Sequence, residues 1–290
     1  MATEYAVAIH QCFRRKPVLA LVAGSLAGLC FSAGFAQQPG IDFDLLPREI
    51  IESRLRSFTR NNDARKTQLK LMLEEAGCDG DRLKEQPVRR PKLPNLICTL
   101  PGGSDATIVV GAHFDHTDAG LGVVDNWSGA ALLPSLYQSL RAKGRKHTFV
   151  FVGFTEEEQG LVGSSYYVQN LSSEQVAKLR AMINLDSLGL GPTKVWLNHS
   201  DMNLSRHMER LAFTMRFPFA VVNGDRVGDD DSTPFKKRGV PTLMLHSITQ
   251  DTLSILHTAR DRMDKIALGD YYASYNQIAA YLAYIDAILD

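Results

Sequence analysis

From residue 45 onward, the spacing of apolar positions changes repeatedly between a helical and a strand-like period. Between residues 45 and 76 the apolar side chains recur at helical spacing, which predicts one or two helices that end at Gly77. The next stretch, residues 79–94, is polar and contains prolines, which predicts a surface loop.

Short apolar runs then alternate with longer segments of helical period. The predicted strands are residues 95–100, 107–114, 147–154, 181–185, 194–198, 219–222 and 242–246. The predicted helices are residues 126–142, 166–179, 204–215 and 269–289. This alternation favours a single α/β domain of three layers, in which a mixed, largely parallel sheet lies between helices.

The first 36 residues have the composition of a secretory signal. Arg14, Arg15 and Lys16 precede an apolar run that is rich in small residues and reaches Ala36. The pattern predicts a signal peptide over residues 1–36, a linker over 37–47 and the folded domain over 48–290. A membrane anchor is the alternative, because the apolar run approaches the length that spans a bilayer. A cleaved signal predicts export to the periplasm or the cell exterior, with no stable membrane partner afterwards.

Charge and cysteine content narrow the classes of function. Lys+Arg and Asp+Glu both total 32 among 290 residues, so the formal net charge is zero. This balance provides no basic surface of the kind that binds nucleic acid.

Cys12 and Cys30 lie in the predicted signal, whereas Cys78 and Cys98 remain in the exported chain. An oxidising compartment favours a disulfide between the remaining pair, with two separate buried thiols as the alternative.

Histidines and carboxylates gather where predicted strands end, which is where sites form in parallel sheets. His113 and Asp115 close one strand, the run 156–158 of three glutamates follows another, and Asp186 ends a third. Adjacent carboxylates repel one another unless a cation neutralises them. The chain contains no GxxxxGK[ST] phosphate loop, GxSxG elbow or HExxH helix. The chain has instead a dispersed set of histidines and carboxylates, which are residue types that bind metals.

Six segments occur in the order found in the zinc aminopeptidases of peptidase family M28. They are GAHFDH, DNWSGAA, EEQGLVGS, NLDSLG, DDSTPF and LHTARDRMD. The chain resembles this family over roughly residues 45–290. The resemblance implies hydrolysis of the N-terminal peptide bond of peptides that have a free N-terminus, by a water molecule that two Zn²⁺ ions activate.

The resemblance also implies a role for individual side chains. The implied metal ligands are His113, Asp125, Glu158, Asp186 and His257. Asp125 would bridge the two ions, and Glu157 would be the general base. Asp115, Asp231 and either Asp261 or Asp264 would support the ligands from behind. Glu156 stands where the family usually has Gly or Ala and is expected to be peripheral.

Two departures from the family pattern leave the substrate contacts open. Ser232 stands where relatives often have a histidine, and Leu256 stands where some have an aromatic hydroxyl. Dipeptidase and carboxypeptidase preferences also stay open, as does the oligomeric state.

The alternative activity is glutaminyl cyclisation with one zinc ion on a similar fold, and a third hypothesis is a binding domain without catalysis. Metal content distinguishes the first two.

Overall fold

The computed structural model describes residues 41–88, 93–223 and 228–290. The predicted signal peptide and the first residues of the predicted linker lie outside the described residues, so both stay predictions. Within the described ranges, no helix is both long enough and apolar enough to cross a bilayer.

The described residues form an eight-stranded sheet with helices on both faces. The strands are β1 (Leu83–Gln86), β2 (Asn95–Leu100), β3 (Thr107–His113), β4 (Thr148–Phe154), β5 (Leu179–Leu185), β6 (Lys194–Trp196), β7 (Ala220–Val222) and β8 (Thr242–His246). The helices are α1 (Arg48–Arg56), α2 (Asn62–Glu75), α3 (Ser128–Ala130), α4 (Leu133–Arg141), α5 (Val162–Gln169), α6 (Ser173–Lys178), α7 (Met202–Met215), α8 (Thr233–Lys237) and α9 (Leu268–Ile288).

The sheet has the strand order β1-β2-β4-β3-β5-β8-β6-β7. Its four central strands, β4, β3, β5 and β8, pair in parallel. β2 joins β4 antiparallel, β1 joins β2 antiparallel, and β6 runs antiparallel to β8 but parallel to β7. The carboxyl ends of the four central strands therefore meet at one edge. The predicted α/β class with a mixed, largely parallel sheet is confirmed.

Alternation along the strands divides the apolar core between the two faces of the sheet. In β4, Phe149 and Phe151 join the larger core, while Val152 and Phe154 join the smaller one. α1, α2, α4, α7 and α9 cover the larger core, and α5, α6 and α8 cover the smaller. Three layers result, and burial on both faces explains why the central strands have continuous apolar sequences.

Three predictions about local structure are wrong. The helix predicted over 126–142 is divided into α3 and α4, because Pro134 in the first turn of α4 has no N–H to continue the helical hydrogen bonds. Residues 83–86 are not loop, because they form β1 at the edge of the sheet, in register with residues 95–98 of β2. An edge strand that is largely exposed needs few apolar side chains, so its sequence looks like a loop. The helix predicted over 166–179 is two helices, because Ser172 begins α6 with a capping box that includes Gln175.

Cys78 and Cys98 form a disulfide in the structure, with an S–S distance of 2.04 Å. Both residues are fully buried. Cys78 follows α2 and Cys98 lies on β2, so the bond connects the helical layer to the sheet. A crosslink that closes a loop of this length stabilises a fold by about 3 kcal/mol.

Candidate metal centre

Three of the five predicted ligands leave the carboxyl ends of adjacent parallel strands. His113 is the last residue of β3, Asp186 directly follows β5, and Glu158 lies four residues after β4. Because these strands are neighbours in the order β4-β3-β5, their ends bring the three side chains together. The position matches the rule that sites in such sheets form at the carboxyl ends of strands.

Asp125 reaches the same place from a long loop that other segments hold. The carboxylate of Asp261 accepts hydrogen bonds from the backbone N–H groups of Val124 (2.7 Å) and Asp125 (3.0 Å). The Asn126 amide donates to the Leu185 carbonyl at 2.8 Å, which fixes the loop to the end of β5. These three bonds to two segments position the loop that carries the Asp125 carboxylate.

Arg65, which was not identified from the sequence, holds the first part of this loop. It is fully buried on α2, and its guanidinium donates to the carbonyls of Phe114 (3.1 Å), Leu121 and Gly122 (2.9 Å). The guanidinium also lies 5.6 Å from the centre of the Trp127 ring. Burial lowers the pKa of Arg65 to about 10, although carboxylates including Asp261 and Asp115 oppose this. It therefore remains charged at neutral pH and adds a cation behind the acidic cluster.

The Asp125 carboxylate lies between the two histidines. Its Oδ1 is 3.3 Å from His113 Nε2, and its Oδ2 is 3.0 Å from His257 Nε2. On one side, Asp186 Oδ2 lies 3.8 Å from His113 Nε2. On the other, Glu158 Oε2 lies 3.0 Å from His257 Nε2. The structure thus brings together all five predicted ligands in two groups, each with one imidazole and two carboxylates, that share Asp125.

The chemistry of the cluster fits bound divalent cations. His113 Nε2 and Glu158 Oε1 are buried, and neither has a hydrogen-bond partner in the part of the chain that the structure describes. Buried polar atoms normally have a partner, so this orphaned pair in a cluster of carboxylates fits metal coordination. His113 Nδ1 lies 3.3 Å from the Asp115 carbonyl, which can only accept. In the neutral ring, Nδ1 therefore donates and Nε2 keeps its lone pair for a metal.

Asp115 contacts the backbone of both site glutamates. Its two carboxylate oxygens accept from the N–H groups of Glu157 (3.1 Å) and Glu158 (3.2 Å). One of them also lies 3.5 Å from His113 Nδ1. Asp115 is almost fully buried and therefore connects the end of β3 to the segment after β4.

Glu157 faces the same cluster, with Oε2 at 3.9 Å from His113 Nε2. Together with His113 and Glu158 it forms a third group whose ligand atoms are close enough to hold a metal. Distance alone therefore does not separate the roles of the two adjacent glutamates. Burial raises the pKa of Glu157 to about 10, and the carboxylates of Asp231, Asp186 and Asp125 raise it further, against the effect of His113.

Other groups in the metal-free cluster also have shifted pKa values. Hydrogen bonds to Asp125 and Glu158 raise the pKa of His257 to about 10. Burial opposes the charge on His113, but Glu157, Asp115 and Asp125 outweigh it and hold the His113 pKa well above its usual value. Burial also raises the pKa of Asp186 well above its usual value. Excess negative charge thus retains protons here, as expected where a cation would bind.

Backbone strain is concentrated around the cluster. Glu156, Ser187 and His257 adopt positive φ angles of 52°, 52° and 53°. His257 is a predicted ligand, and Glu156 and Ser187 are next to residues of the cluster. Such φ values are uncommon outside glycine. The Glu156 carbonyl accepts from the Val162 N–H at 3.1 Å, but its carboxylate makes no hydrogen bond or ion pair within the described parts of the chain. Strained backbone of this kind is frequent at binding and catalytic sites.

The remaining predicted support residues differ in where they lie. Asp261 contacts the loop that carries Asp125, whereas Asp264 is exposed and pairs with Arg262 at 2.9 Å. Asp231 is buried, neither of its carboxylate oxygens has a hydrogen-bond partner among the described residues, and burial raises its pKa to about 7. Asp261 and not Asp264 is therefore the residue that braces the cluster.

Known proteins with similar sequences include a leupeptin-inactivating enzyme and leucine aminopeptidases. Leupeptin-inactivating enzyme 1 of Streptomyces exfoliatus is 30% identical over 151 residues, which are 51% of this chain and 34% of that protein. A probable leucine aminopeptidase 2 of Aspergillus fumigatus is 30% identical over 149 residues, which are 51% of this chain and 28% of that protein. The chain thus spans about a third of the length of these relatives.

Solved structures with a similar fold include two kinds of enzyme. The LapA aminopeptidase of Legionella pneumophila matches with a TM-score of 0.71 and 20% identity, over 83% of this chain and 71% of that one. The zinc aminopeptidase BSAP of Bacillus subtilis matches with a TM-score of 0.60 and 22% identity, over 66% of this chain and 49% of that one. The glutaminyl cyclase of Porphyromonas gingivalis matches with a TM-score of 0.65 and 18% identity, over 81% of this chain and 96% of that one. At these identities the likeness establishes the fold.

The family follows from the sequence itself. The sequence model of peptidase family M28 matches residues 95–282, which include all five predicted ligands and Glu157. This match covers well over half of the chain and extends from β2 into α9. The chain is therefore a member of peptidase family M28.

Proposed function

We propose that this protein is a zinc-dependent aminopeptidase with two metal sites that share Asp125. The observation that carries the proposal is the Asp125 carboxylate, with one oxygen 3.3 Å from His113 Nε2 and the other 3.0 Å from His257 Nε2. A carboxylate between two imidazoles, each with its own second carboxylate, provides two ligand sets of the kind found in catalytic zinc sites. Family membership and the names of the relatives support the same activity.

The proposed metal ligands are His113, Asp125, Asp186, Glu158 and His257. Bound zinc would polarise the scissile carbonyl and lower the pKa of the attacking water. Glu157 is proposed as the general base that takes the proton from this water and then donates it to the leaving amine. Asp115 is proposed to orient His113 and both glutamates through the contacts described above.

Glu157 can accept a proton only in its ionised form. In the metal-free protein its pKa of about 10 keeps it protonated at neutral pH, because it is buried among other carboxylates. Positive charge at the two ligand sets would oppose this effect and lower the pKa. Metal binding and activation of the base are therefore expected to be coupled in this site.

An apolar cavity of about 260 Å³ adjoins the same edge of the sheet and is proposed to take the N-terminal side chain. Trp196, Val222, Ile248 and Leu253 line it, together with His246 at the end of β8. The Asp186 N–H donates to the carbonyl of Leu245 at 3.0 Å, so His246 is next to a proposed ligand across the strand pair. Leu253 lies four residues before His257. A medium or large apolar N-terminal residue suits these walls.

Export is part of the proposal. It rests on the basic and apolar pattern of residues 1–36 and on the Cys78–Cys98 disulfide, since disulfides persist in oxidising compartments.

The test is an activity panel on the protein without residues 1–36, with aminoacyl p-nitroanilides beside N-acetylated and N-terminal glutaminyl substrates. We expect zinc-dependent cleavage of free N-terminal substrates with a preference for apolar residues, loss on chelation and recovery with zinc. N-acetylated substrates should not be cleaved. Cyclisation of glutaminyl peptides without cleavage of any aminoacyl bond would contradict the proposal and support the cyclase, and no reaction at all would support a binding domain.

A further inference from the structure

A groove of about 650 Å³ leads away from Glu157 and Glu158 between α5 and α8. We name it the α5–α8 groove. Its size lies in the range of small-ligand sites. The aromatic rings of Tyr167 on α5 and Phe235 on α8 pack below it, with centroids 5.8 Å apart, so both walls rest on the smaller apolar core. The groove is therefore a fixed feature of the fold beside the proposed base.

The far end of this groove is basic. Lys237, the last residue of α8, and Arg238, which follows it, both line the groove and are exposed. The Arg238 guanidinium donates to the Val168 carbonyl at 3.2 Å, which holds it against the α5 wall. Neither cation forms an ion pair within the described parts of the chain. Asp229 is the groove carboxylate other than the two site glutamates, and it accepts from the Thr233 hydroxyl at 3.3 Å.

The groove can be assigned to one part of the substrate if the proposed aminopeptidase function holds. An aminopeptidase substrate has a single residue before the scissile bond, and the apolar cavity beside His246 provides a place for its side chain. Everything else in the peptide lies on the leaving side. Since Glu157 would protonate the leaving amine, the leaving part begins beside Glu157, which is where the α5–α8 groove begins.

We propose that the α5–α8 groove binds the leaving part of the peptide and that Lys237 and Arg238 recognise a carboxylate on it. The carboxylate is either the C-terminal group of a short peptide or the side chain of an Asp or Glu. The preferred substrates are thus short or acidic peptides with an apolar first residue. Lys237 and Arg238 make this end of the groove positively charged. An exposed pair of this kind contributes modestly and is sensitive to salt.

The experiment compares kcat/KM for matched peptides that begin with the residue best accepted in the activity panel. One arm pairs di-, tri- and tetrapeptide free acids with their C-terminal amides. The other pairs peptide amides that contain Glu with amides that contain Gln at the same position. We expect a preference of roughly three- to tenfold for the carboxylate in at least one arm, and the arm in which it occurs identifies its source. The preference should fall in about 1 M salt, where the Debye length is about 3 Å.

Charge reversal provides the control. The Lys237→Glu/Arg238→Glu double variant should abolish or invert the ratio of carboxylate to amide substrate, whatever its effect on the amide alone. Lys236→Glu is the matched control, because Lys236 lies on the same helix but outside the groove, where its ammonium donates to the Asn198 carbonyl. It should keep the wild-type ratio. Melting temperatures of all variants show whether each is folded.

Two results would overturn the inference. One is a ratio near one for the wild-type protein in both arms at every length, and the other is a preference that survives in the folded double variant. Both presuppose cleavage of the amide peptides. If the zinc-loaded protein cleaves none of the peptides or p-nitroanilides, the proposed function has failed and not merely the role of the groove.

Discussion

The two halves of the candidate metal centre differ in how firmly the fold holds them. His113 ends a central strand, its side chain is 1% exposed, and Asp115 contacts its second ring nitrogen. His257 follows a short turn on a loop, and its side chain is 58% exposed. Ligands on strands are positioned by the sheet, whereas a loop ligand depends on the metal and its neighbours. The half with His113 should therefore be the preorganised and tighter site.

The largest expected effect separates the two histidines. We expect His113→Ala to reduce activity to the background of the assay, because it removes a buried proposed ligand and one of the two histidine partners of the Asp125 carboxylate. We expect His257→Ala to retain at least about ten times more activity, a difference of about 1.4 kcal/mol in transition-state stabilisation. Activity titrations with added zinc measure both. Equal losses in the two folded variants would remove the distinction between the halves.

The second prediction concerns the adjacent residues Glu157 and Glu158, whose roles the distances in the structure do not distinguish. Glu157→Gln should keep both metals and the fold but lower kcat by roughly a hundredfold to ten-thousandfold, the usual contribution of a general base. Glu158→Gln should instead weaken the half with His257, and excess zinc should partly restore its activity. Metal analysis and kinetics on both variants decide the assignment. It is reversed if Glu157→Gln loses zinc while Glu158→Gln retains it.

A smaller effect is expected for Asp115, which contacts both glutamate N–H groups and the ring of His113. Asp115→Asn should lower metal affinity or activity by about 10- to 100-fold, as is typical for residues that orient metal ligands. Asp264→Asn is the matched control, because Asp264 is exposed and pairs only with basic residues on the surface. Similar losses in both variants would contradict the proposed role of Asp115.

The free energy of unfolding is expected to depend on pH differently in the chelated and the zinc-loaded protein. In the metal-free protein the pKa values of Glu157 and His257 are raised to about 10, and that of His113 is raised in the same direction. The folded state then binds more protons than the unfolded chain, so stability falls as pH rises from about 6 to about 9. Zinc competes with these protons and should remove or reverse the slope.

Thermal unfolding with and without zinc, at several pH values, measures this slope. The chelated protein should melt at a lower temperature at pH 9 than at pH 6, and the gap between zinc-loaded and chelated protein should widen with pH. A chelated protein whose melting temperature rises over this interval would show that the cluster does not retain protons.

The sequence was most informative where the fold is most regular. His113, Glu158 and Asp186 could be predicted as neighbours because each follows an apolar strand, and parallel strands end together. Asp125 and His257 come from loops, so their place in the same cluster followed only from the ordered motifs of the family. Each motif alone is also compatible with a helix cap or an ordinary surface charge.

Other features could not be predicted because they depend on contacts that leave no local pattern. Arg65 lies in an ordinary helical sequence, and its role appears only when α2 packs against the carbonyls of the Asp125 loop. β1 is polar because it is an exposed edge strand. The basic end of the α5–α8 groove likewise depends on tertiary structure, since Lys237 ends α8, Arg238 follows it, and the glutamates follow β4.

The central claim is that one carboxylate, Asp125, belongs to two metal sites, and zinc content tests it most directly. Metal analysis of the active protein after removal of loosely bound ions should give about two zinc ions per chain. The same analysis should give about one for the folded His257→Ala variant, with the ion retained in the half that contains His113. A fully active wild-type protein with one zinc ion per chain, or none, would contradict the account.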